Sequence, residues 1–357
     1  MQSHPSFIEQ LQLLINDQLE EAITNAIDKQ PTDQLLSSDV KVAVVGGAIG
    51  FVSALLRPPP PLPRSEEDIY EVKAAITALR DATMESAHSW INKNRQVRLV
   101  NWLRLTPYSG DASTCDHIVL TIDGFMSHGR DPKINWGPFC LPNVASFVVE
   151  WEAGNANDFV NFASRVFNLD PLATQITKNP WNSAQNKAHQ VGIVLADLIL
   201  SQPTLFRNRK VTVLGHSLGG AIISSLLDHM AEQNQLRPES ERVYLHQAIM
   251  FGAAFVPKHD FTDVAMYVFP DTTPGRIINT FSTRDFVVKH VFRLGSVHVW
   301  PAAAGCSAIN SEWVQNVEVT EIIQVNPLTL FGHLYESYME EIFALFLDAG
   351  ILLFASC

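Results

Sequence analysis

The chain has 357 residues, of which 46% are hydrophobic and 17% are charged, so it can bury a large core in one sizeable domain with appendages. Its formal net charge of −12 and its four scattered cysteines argue against nucleic acid as a partner and against a cysteine-based zinc site. We expect the cysteines to be buried thiols, and the sequence predicts neither a metal nor an organic cofactor.

The first 63 residues are predicted to form a helical and apolar segment that ends in a linker. Apolar side chains recur at helical spacing in residues 7–29, which indicates an amphipathic helix. Residues 42–56 are uncharged and would extend roughly 22 Å as a helix, less than the ~30 Å hydrocarbon core of a bilayer. A buried helix, a membrane-inserted or interfacial helix and a spanning helix therefore stay as alternatives. The proline run at residues 58–63 is too stiff to continue a helix.

The N-terminal residues lack the basic and apolar regions of a secretory signal peptide. We therefore expect a cytoplasmic or peripherally membrane-associated protein.

Residues 64–357 are predicted to form the main domain. A helix opens it at residues 65–94, and strands and helices then alternate, which is typical of a mostly parallel sheet covered by helices on both faces. The predicted strands are residues 97–105, 117–122, 145–151, 211–214, 244–251, 276–282 and 317–325, and the predicted helices are residues 158–167, 184–201, 221–232 and 335–347. Residues 153–183 are poor in charge and carry Phe and Trp, so they form either a lid or an ordinary connection.

The most informative motif is a Gly-x-Ser-x-Gly sequence centred on Ser217, which joins a β-branched run to a helical pattern. This arrangement is typical of a nucleophile elbow, in which a strand ends at a serine on a sharp turn and a helix begins at once. Gly215 and Gly219 fit this interpretation because strand and helix cross too closely for a Cβ beside the serine. The alternative is a glycine-rich turn without a chemical role.

A serine hydroxyl becomes a nucleophile only with a base in hydrogen-bond reach and an acid that fixes the tautomer of that base. In folds with a nucleophile elbow of this type, the acid and then the base follow the serine along the chain. This order selects Asp285, which follows a predicted strand, and His333, which precedes the final helix. Alternatively, Asp285 serves only as a helix cap. The less well placed acids and bases are Asp260, Asp263, Asp271, His290 and His298.

An oxyanion formed at Ser217 needs two backbone donors. One is predicted to be the N–H of Leu218, the residue after the nucleophile. The other is assigned to Phe125, in the loop after the strand at residues 117–122, with Met126 as the nearest rival. Gly124 allows the backbone to approach closely, and the candidates for the substrate pocket are Gly124, Met126 and His216, the last interpreted as pocket lining or packing.

Seven stretches of the chain, at residues 121–129, 135–137, 148–152, 215–219, 251–254, 279–285 and 332–338, occur in an order that is similar to one known family. They resemble the transmembrane and coiled-coil domain proteins with an α/β-hydrolase core, over about residues 97–347. The resemblance implies the α/β-hydrolase fold, a triad of Ser217, Asp285 and His333, and membrane association through a Gly-rich apolar segment. This chain has one short run of that kind where longer membrane segments are usual.

These observations predict a serine ester hydrolase of the lipase, carboxylesterase or phospholipase type that forms an acyl-enzyme on Ser217. An acyltransferase, or a membrane-associated binding or scaffold protein on a hydrolase fold, is the alternative. The expected partners are a hydrophobic ester or lipid and a membrane surface, but not nucleic acid.

Overall fold

The computed structural model describes residues 100, 103–112, 114–125, 131–153, 180–201, 206, 209–273, 275–292, 302–326 and 332–352. The predicted helices at residues 7–29, 65–94 and 158–167, the apolar run at 42–56 and most of the predicted lid at 153–183 lie outside these residues. The division of the chain at residues 63 and 64 therefore stays a prediction.

A seven-stranded sheet forms the centre of the described part, in the spatial order β1-β3-β2-β4-β5-β6-β7. Edge strand β1 is antiparallel to β3, and every other neighbouring pair is parallel. The strands are β1 Leu103–Ser109, β2 His117–Ile122, β3 Val144–Trp151, β4 Lys210–His216, β5 Gln247–Phe251, β6 Ile277–Phe281 and β7 Val314–Glu318. Every residue of β2, β5 and β6 is buried, as expected for parallel strands covered on both faces.

Helices and short turns of helix connect the strands. The α-helices are α1 Pro132–Trp136, α2 Pro180–Ser201, α3 Leu218–Gln235, α4 Thr262–Val268 and α5 Met339–Asp348. The 3₁₀ segments are Gly137–Phe139, Glu239–Glu241, Ala304–Cys306 and Tyr335–Tyr338, and Val287–Phe292 is a π-helical segment. None of the helices in the described ranges combines the length and apolar character that crossing a bilayer requires.

Two apolar cores lie on opposite faces of the sheet. Successive residues of β4 alternate between them, with Val213 in the larger core and Leu214 in the smaller one, as the two-residue period of a strand requires. Helices α2 and α3 cover the larger core and touch at Gly192, where a Cβ would lie 2.5 Å from the carbonyl oxygen of Ile222. On the other face, Phe346 of α5 stacks on Phe251 of β5 with ring centroids 5.8 Å apart.

The strand order, the antiparallel edge strand and the helix that follows β4 directly define an α/β-hydrolase fold, which confirms the predicted fold class. The bounds of β2 are those predicted from the sequence. The strand predicted at residues 317–325 is wrong in position, because β7 ends at Glu318 and the chain then turns. The N–H groups of Ile322 and Ile323 both bond to the carbonyl of Val319. Val319 and Ile323 are therefore buried in the smaller core as parts of a turn and not of a strand.

Strand β1 also differs from its prediction at residues 97–105, since it continues to Ser109. Pro107 is compatible with this position because β1 has one neighbour among the described strands, and an edge strand leaves one side without ladder hydrogen bonds. Two short helices, α1 and α4, were not predicted. Cys115 and Cys306 are buried free thiols, Cys140 is half-buried, and Cys357 lies outside the described residues.

Candidate active site

Ser217 lies at the carboxyl edge of the sheet, between the last residue of β4 and the first residue of α3. Its φ of 57° and ψ of −117° place a non-glycine residue at positive φ, a conformation that costs about 1–3 kcal/mol. The end of β5 holds this turn. The Ser217 N–H donates to the carbonyl of Phe251 and the Ser217 carbonyl accepts from Ala254, each at 2.9 Å. The side chain is buried, with 3% exposure.

The two glycines of the motif lie where backbones touch. A Cβ on Gly219 would stand 2.0 Å from the carbonyl oxygen of Ile122 at the end of β2, and a Cβ on Gly215 would stand 2.6 Å from the carbonyl carbon of Gly219. Gly124 is equally confined, since its Cβ would lie 2.6 Å from that of Ser217. Side chains at these positions would push β2, β4 and α3 apart beside the serine.

Ser217, His333 and Asp285 form a continuous hydrogen-bonded series. His333 Nε2 lies 2.9 Å from Ser217 Oγ, and His333 Nδ1 lies 2.8 Å from Asp285 Oδ2. An ionised carboxylate only accepts hydrogen bonds, so Nδ1 carries the imidazole proton and Nε2 accepts the proton of the serine hydroxyl. The geometry is that of a nucleophile, a base and an acid that orients the base.

Asp285 has two hydrogen-bonding roles. Its Oδ1 accepts the N–H of Val288, in the first turn of the π-helical segment, at 3.0 Å, and its Oδ2 accepts from His333. Both interpretations of this residue from the sequence, a helix cap and a partner of the histidine, therefore describe real contacts. The residue is fully buried, and the backbone bond fixes which oxygen faces the imidazole.

The rival acids do not take part in this series of hydrogen bonds. Asp271 lies at the surface and bonds to Arg276, Asp260 caps the N–H of Thr262, and Asp263 is exposed in the first turn of α4. His290 lies in the π-helical segment, and His298 is outside the described residues. Asp285 and His333 are thus the pair that the fold brings to Ser217.

An open cleft in front of Ser217 encloses about 510 Å³, its mouth included. The described lining residues are Asp123, Gly124, Phe125, Asp131, Ile134, Asn135, His216, Ser217, His333, Leu334, Tyr335 and Glu336. Gly124, Phe125 and His216 are among these lining residues, and Met126 is outside the described residues. Within the described ranges, no three His, Cys, Asp or Glu side chains are grouped to hold a metal ion.

The residues predicted to supply the oxyanion donors both adjoin the site: Leu218 follows Ser217 directly, and Phe125 lines the cleft that contains Ser217. Leu218 is the first residue of α3, so its N–H has no carbonyl partner within the helix, and the helix N-terminus favours negative charge nearby. Phe125 is half-buried in the turn after β2 and lines the same cleft. The pairing of Leu218 and Phe125 as oxyanion donors stays a prediction.

The buried carboxylate of Asp123, between β2 and the turn that contains Phe125, was not singled out from the sequence. Asp123 Oδ1 accepts Nδ2–H of Asn135 at 2.7 Å and Nε1–H of Trp136 at 2.9 Å. The Asp123 carbonyl accepts the Nε1–H of Trp151 at 3.1 Å. These bonds tie the turn to α1 and β3. The available signal was the presence of Asp123 and of Asn135-Trp136 in two of the family-like stretches.

Tyr335 is a second residue that sequence reasoning did not use. Its ring is fully buried against Gly252, where an added Cβ would lie 3.0 Å from Tyr335 Cε2 and 3.4 Å from Asp285 Oδ2. Burial, followed by the nearby charge of Asp285, raises the pKa of the Tyr335 phenol well above its usual value. The Tyr335 phenol is therefore uncharged, and its ring packs beside the Asp285 carboxylate.

A model of the family described as protein of unknown function (DUF726) matches residues 168–346. The rice (Oryza sativa subsp. japonica) transmembrane and coiled-coil domain-containing protein STS1 is 30% identical over 151 residues, which are 42% of this chain and 21% of that protein. The Saccharomyces cerevisiae protein named probable lipase MIL1 is 30% identical over 149 residues, which are 42% of this chain and 13% of that protein. The matches thus span about a fifth or less of these relatives. The rice protein confirms the predicted family resemblance.

Among solved structures, the butyrate-bound thermophilic esterase Est2 of the planctomycete Thermogutta terrifontis is similar at 12% identity and a TM-score of 0.31. The match covers 70% of this chain and 90% of the esterase.

Proposed function

The chain belongs to the DUF726 family, and we propose that it is a serine hydrolase that cleaves the ester bond of a hydrophobic carboxylic ester. The observation that carries this proposal is the series of hydrogen bonds from Ser217 through His333 to Asp285, at 2.9 and 2.8 Å. A fold of this type does not by itself establish an activity. The relative positions of a nucleophile, a base and its orienting acid are a more specific argument.

The proposed reaction proceeds through an acyl-enzyme. His333 Nε2 takes the hydroxyl proton as Ser217 Oγ attacks the ester carbonyl, and the Asp285 carboxylate stabilises the imidazolium that forms. The N–H groups of Leu218 and Phe125 then stabilise the oxyanion of the tetrahedral intermediate. The imidazolium returns its proton to the leaving alcohol. A water molecule, activated by His333 in the same way, finally releases the acid and restores Ser217.

The mouth of the cleft supports a hydrophobic substrate. Phe125, Ile134 and Leu334 line the cleft. Ile134 is 56% exposed, although the two residues that follow it on α1, Asn135 and Trp136, are buried. An acyl chain that leaves Ser217 across these side chains would remove apolar surface from water, at about 25 cal/mol per Å². The yeast relative is named a probable lipase, in agreement with this substrate class.

We further propose a peripheral association with a membrane surface. The rice relative is named a transmembrane protein and a Schizosaccharomyces pombe relative is named an uncharacterized membrane protein. The short apolar run at residues 42–56 is the attachment that the sequence suggests. Liposome flotation of the full chain, compared with a form lacking residues 1–63, tests this proposal, and equal flotation of the two forms would contradict a role for the run.

The test of the hydrolase is the Ser217→Ala variant. We expect hydrolysis of p-nitrophenyl butyrate to fall at least about 10⁴-fold and labelling by a fluorophosphonate to disappear. Ser225→Ala is the matched control, because Ser225 lies on α3 and its Oγ is 2.6 Å from Nδ1 of His189, outside the cleft. Equal activity and labelling of the Ser217→Ala and wild-type proteins would exclude the proposed nucleophile.

A further inference from the structure

We propose that His216 is a positioning residue that holds the loop carrying His333 at the correct distance from Ser217. This inference rests on the proposed function, since it assigns the residue a task within the same site. From the sequence, His216 was interpreted as pocket lining or packing. The structure shows a specific contact that neither description covers.

The contact joins the two chain segments that bear the nucleophile and the base. His216 is the last residue of β4, directly before Ser217, and its Nε2 lies 3.0 Å from the carbonyl oxygen of His333. A carbonyl oxygen only accepts hydrogen bonds, so Nε2 carries a proton and donates it. One side chain on the strand of the nucleophile therefore binds the main chain of the base residue.

Ring packing reinforces this hydrogen bond. The His216 ring centroid lies 5.1 Å from that of His333 at an interplanar angle of 34°, and 5.3 Å from that of Tyr335 at 46°. His216, His333 and Tyr335 are 7%, 6% and 0% exposed, so little water competes for the bond. A hydrogen bond in such surroundings is stronger than one at the surface.

The contact matters for the reaction because the base is held from two directions. Asp285 fixes the ring of His333 at Nδ1, and His216 fixes the carbonyl of the same residue. Nε2 of His333 must lie at hydrogen-bond distance from Ser217 Oγ. A misplacement of about 1 Å in a reacting pair can cost on the order of 100-fold in rate. Removal of the His216 donor releases the His333 carbonyl but leaves in place the partners of both His333 ring nitrogens, Asp285 and Ser217.

The experiment compares two replacements of similar size. His216→Gln keeps an N–H donor near the position of Nε2, whereas His216→Leu removes it. We expect kcat for p-nitrophenyl butyrate to fall about 10- to 100-fold in the Leu variant, with KM within about twofold, and to stay within about threefold of wild type in the Gln variant. His246→Leu, directly before β5 at the opposite edge of the sheet, is the control for loss of a histidine beside a strand.

Two measurements separate positioning from folding and from the proposed activity. Thermal unfolding midpoints show whether the Leu variant is folded; if it is not, His216→Asn replaces it, since the shorter amide does not reach the His333 carbonyl. Proton NMR of the imidazole N–H that His333 donates to Asp285 needs no turnover. We expect this far-downfield resonance to broaden or disappear in the Leu or Asn variant and to persist in the Gln variant.

Equal kcat values in the Gln and Leu variants, or a kcat that falls only in proportion to the folded fraction, would overturn the role of His216. An unchanged His333 resonance in the Leu variant would also overturn it. Absence of Ser217-dependent hydrolysis in the wild-type protein would instead refute the proposed function, and the NMR comparison would still decide whether His216 positions His333.

Discussion

Replacing Asp285 by Asn tests the proposed division of roles between the acid and the base. The Val288 N–H donates to Oδ1, so an asparagine in this site places its carbonyl oxygen there and turns its NH₂ group towards His333. That NH₂ group needs an acceptor, and Nδ1 of His333 can accept only after it has lost its proton. The imidazole proton then moves to Nε2, which can no longer accept the proton of Ser217.

The expected magnitude follows from the wrong tautomer. Loss of the orienting carboxylate in a Ser-His-Asp site lowers kcat about 10⁴-fold, which corresponds to about 5.4 kcal/mol in the barrier at 1.36 kcal/mol for each factor of ten. The fold should persist, because asparagine has nearly the volume of aspartate and keeps the bond to Val288. The Asp285→Asn variant should therefore retain its far-ultraviolet circular dichroism and lose its activity.

The assay is steady-state hydrolysis of p-nitrophenyl butyrate together with the rate of fluorophosphonate labelling. Asp271→Asn is the matched control, because Asp271 is an aspartate at the surface that pairs with Arg276 at 2.8 Å. A folded Asp285→Asn protein with activity within tenfold of wild type would refute the tautomer argument. A loss of equal size in Asp271→Asn would show that the effect is not specific to the site.

Two further predictions concern stability and chain-length preference. Burial, followed by His246 and Lys210, lowers the pKa of His117 to about 3 from 6.5, so His117 stabilises the fold fully above pH 6.5 and this contribution is lost as the pH falls towards 3. At pH 5 the lost contribution is about 2 kcal/mol. Urea unfolding at pH 7.5 and pH 5 should therefore show a free energy of unfolding that declines less in His117→Gln than in the wild-type protein. Equal declines in the two proteins would contradict this prediction. Ile134→Ser should lower the decanoate-to-butyrate ratio of kcat/KM about fivefold, from about 1 kcal/mol of lost apolar contact. Leu236→Ser should leave the ratio unchanged, because Leu236 is 80% exposed and lies directly after α3. An unchanged ratio for Ile134→Ser would place the acyl chain elsewhere.

A strand was predictable from the sequence where its own apolar pattern agrees with its burial in the folded sheet. Strand β2 has the bounds expected from the sequence, because all six of its residues are buried and its apolar run ends at the polar Asp123. The segment at residues 317–325 is also rich in β-branched residues, yet β7 lies earlier. There Asn316 bonds through its side chain to Asn279 and to the backbone of Ile309. A hydrogen bond between the side chains of two neighbouring strands leaves no recognisable period in the sequence.

The convergence of Ser217, Asp285 and His333 was predictable because parallel strands deliver their carboxyl ends to one edge of the sheet. The supporting contacts were not. The partners of Asp123, Asn135 and Trp136, lie on α1, which has five residues, too few for a helical pattern to appear in the sequence. The contact between His216 and His333 joins residues 117 positions apart, and one strand-end histidine resembles any other in a sequence.

The strain at Ser217 links these observations. A serine at φ 57° is unfavourable in isolation, and a motif alone cannot reveal whether the rest of the chain compensates for it. Here the compensation comes from the end of β5 and from β2. The carbonyl of Phe251 and the N–H of Ala254 bind both sides of the turn, and β2 approaches so closely that only glycine fits at position 219. Because each element excludes an alternative path for the backbone, the hydroxyl of Ser217 is directed at His333 before any substrate binds, which is the preorganisation that a nucleophile of this kind requires.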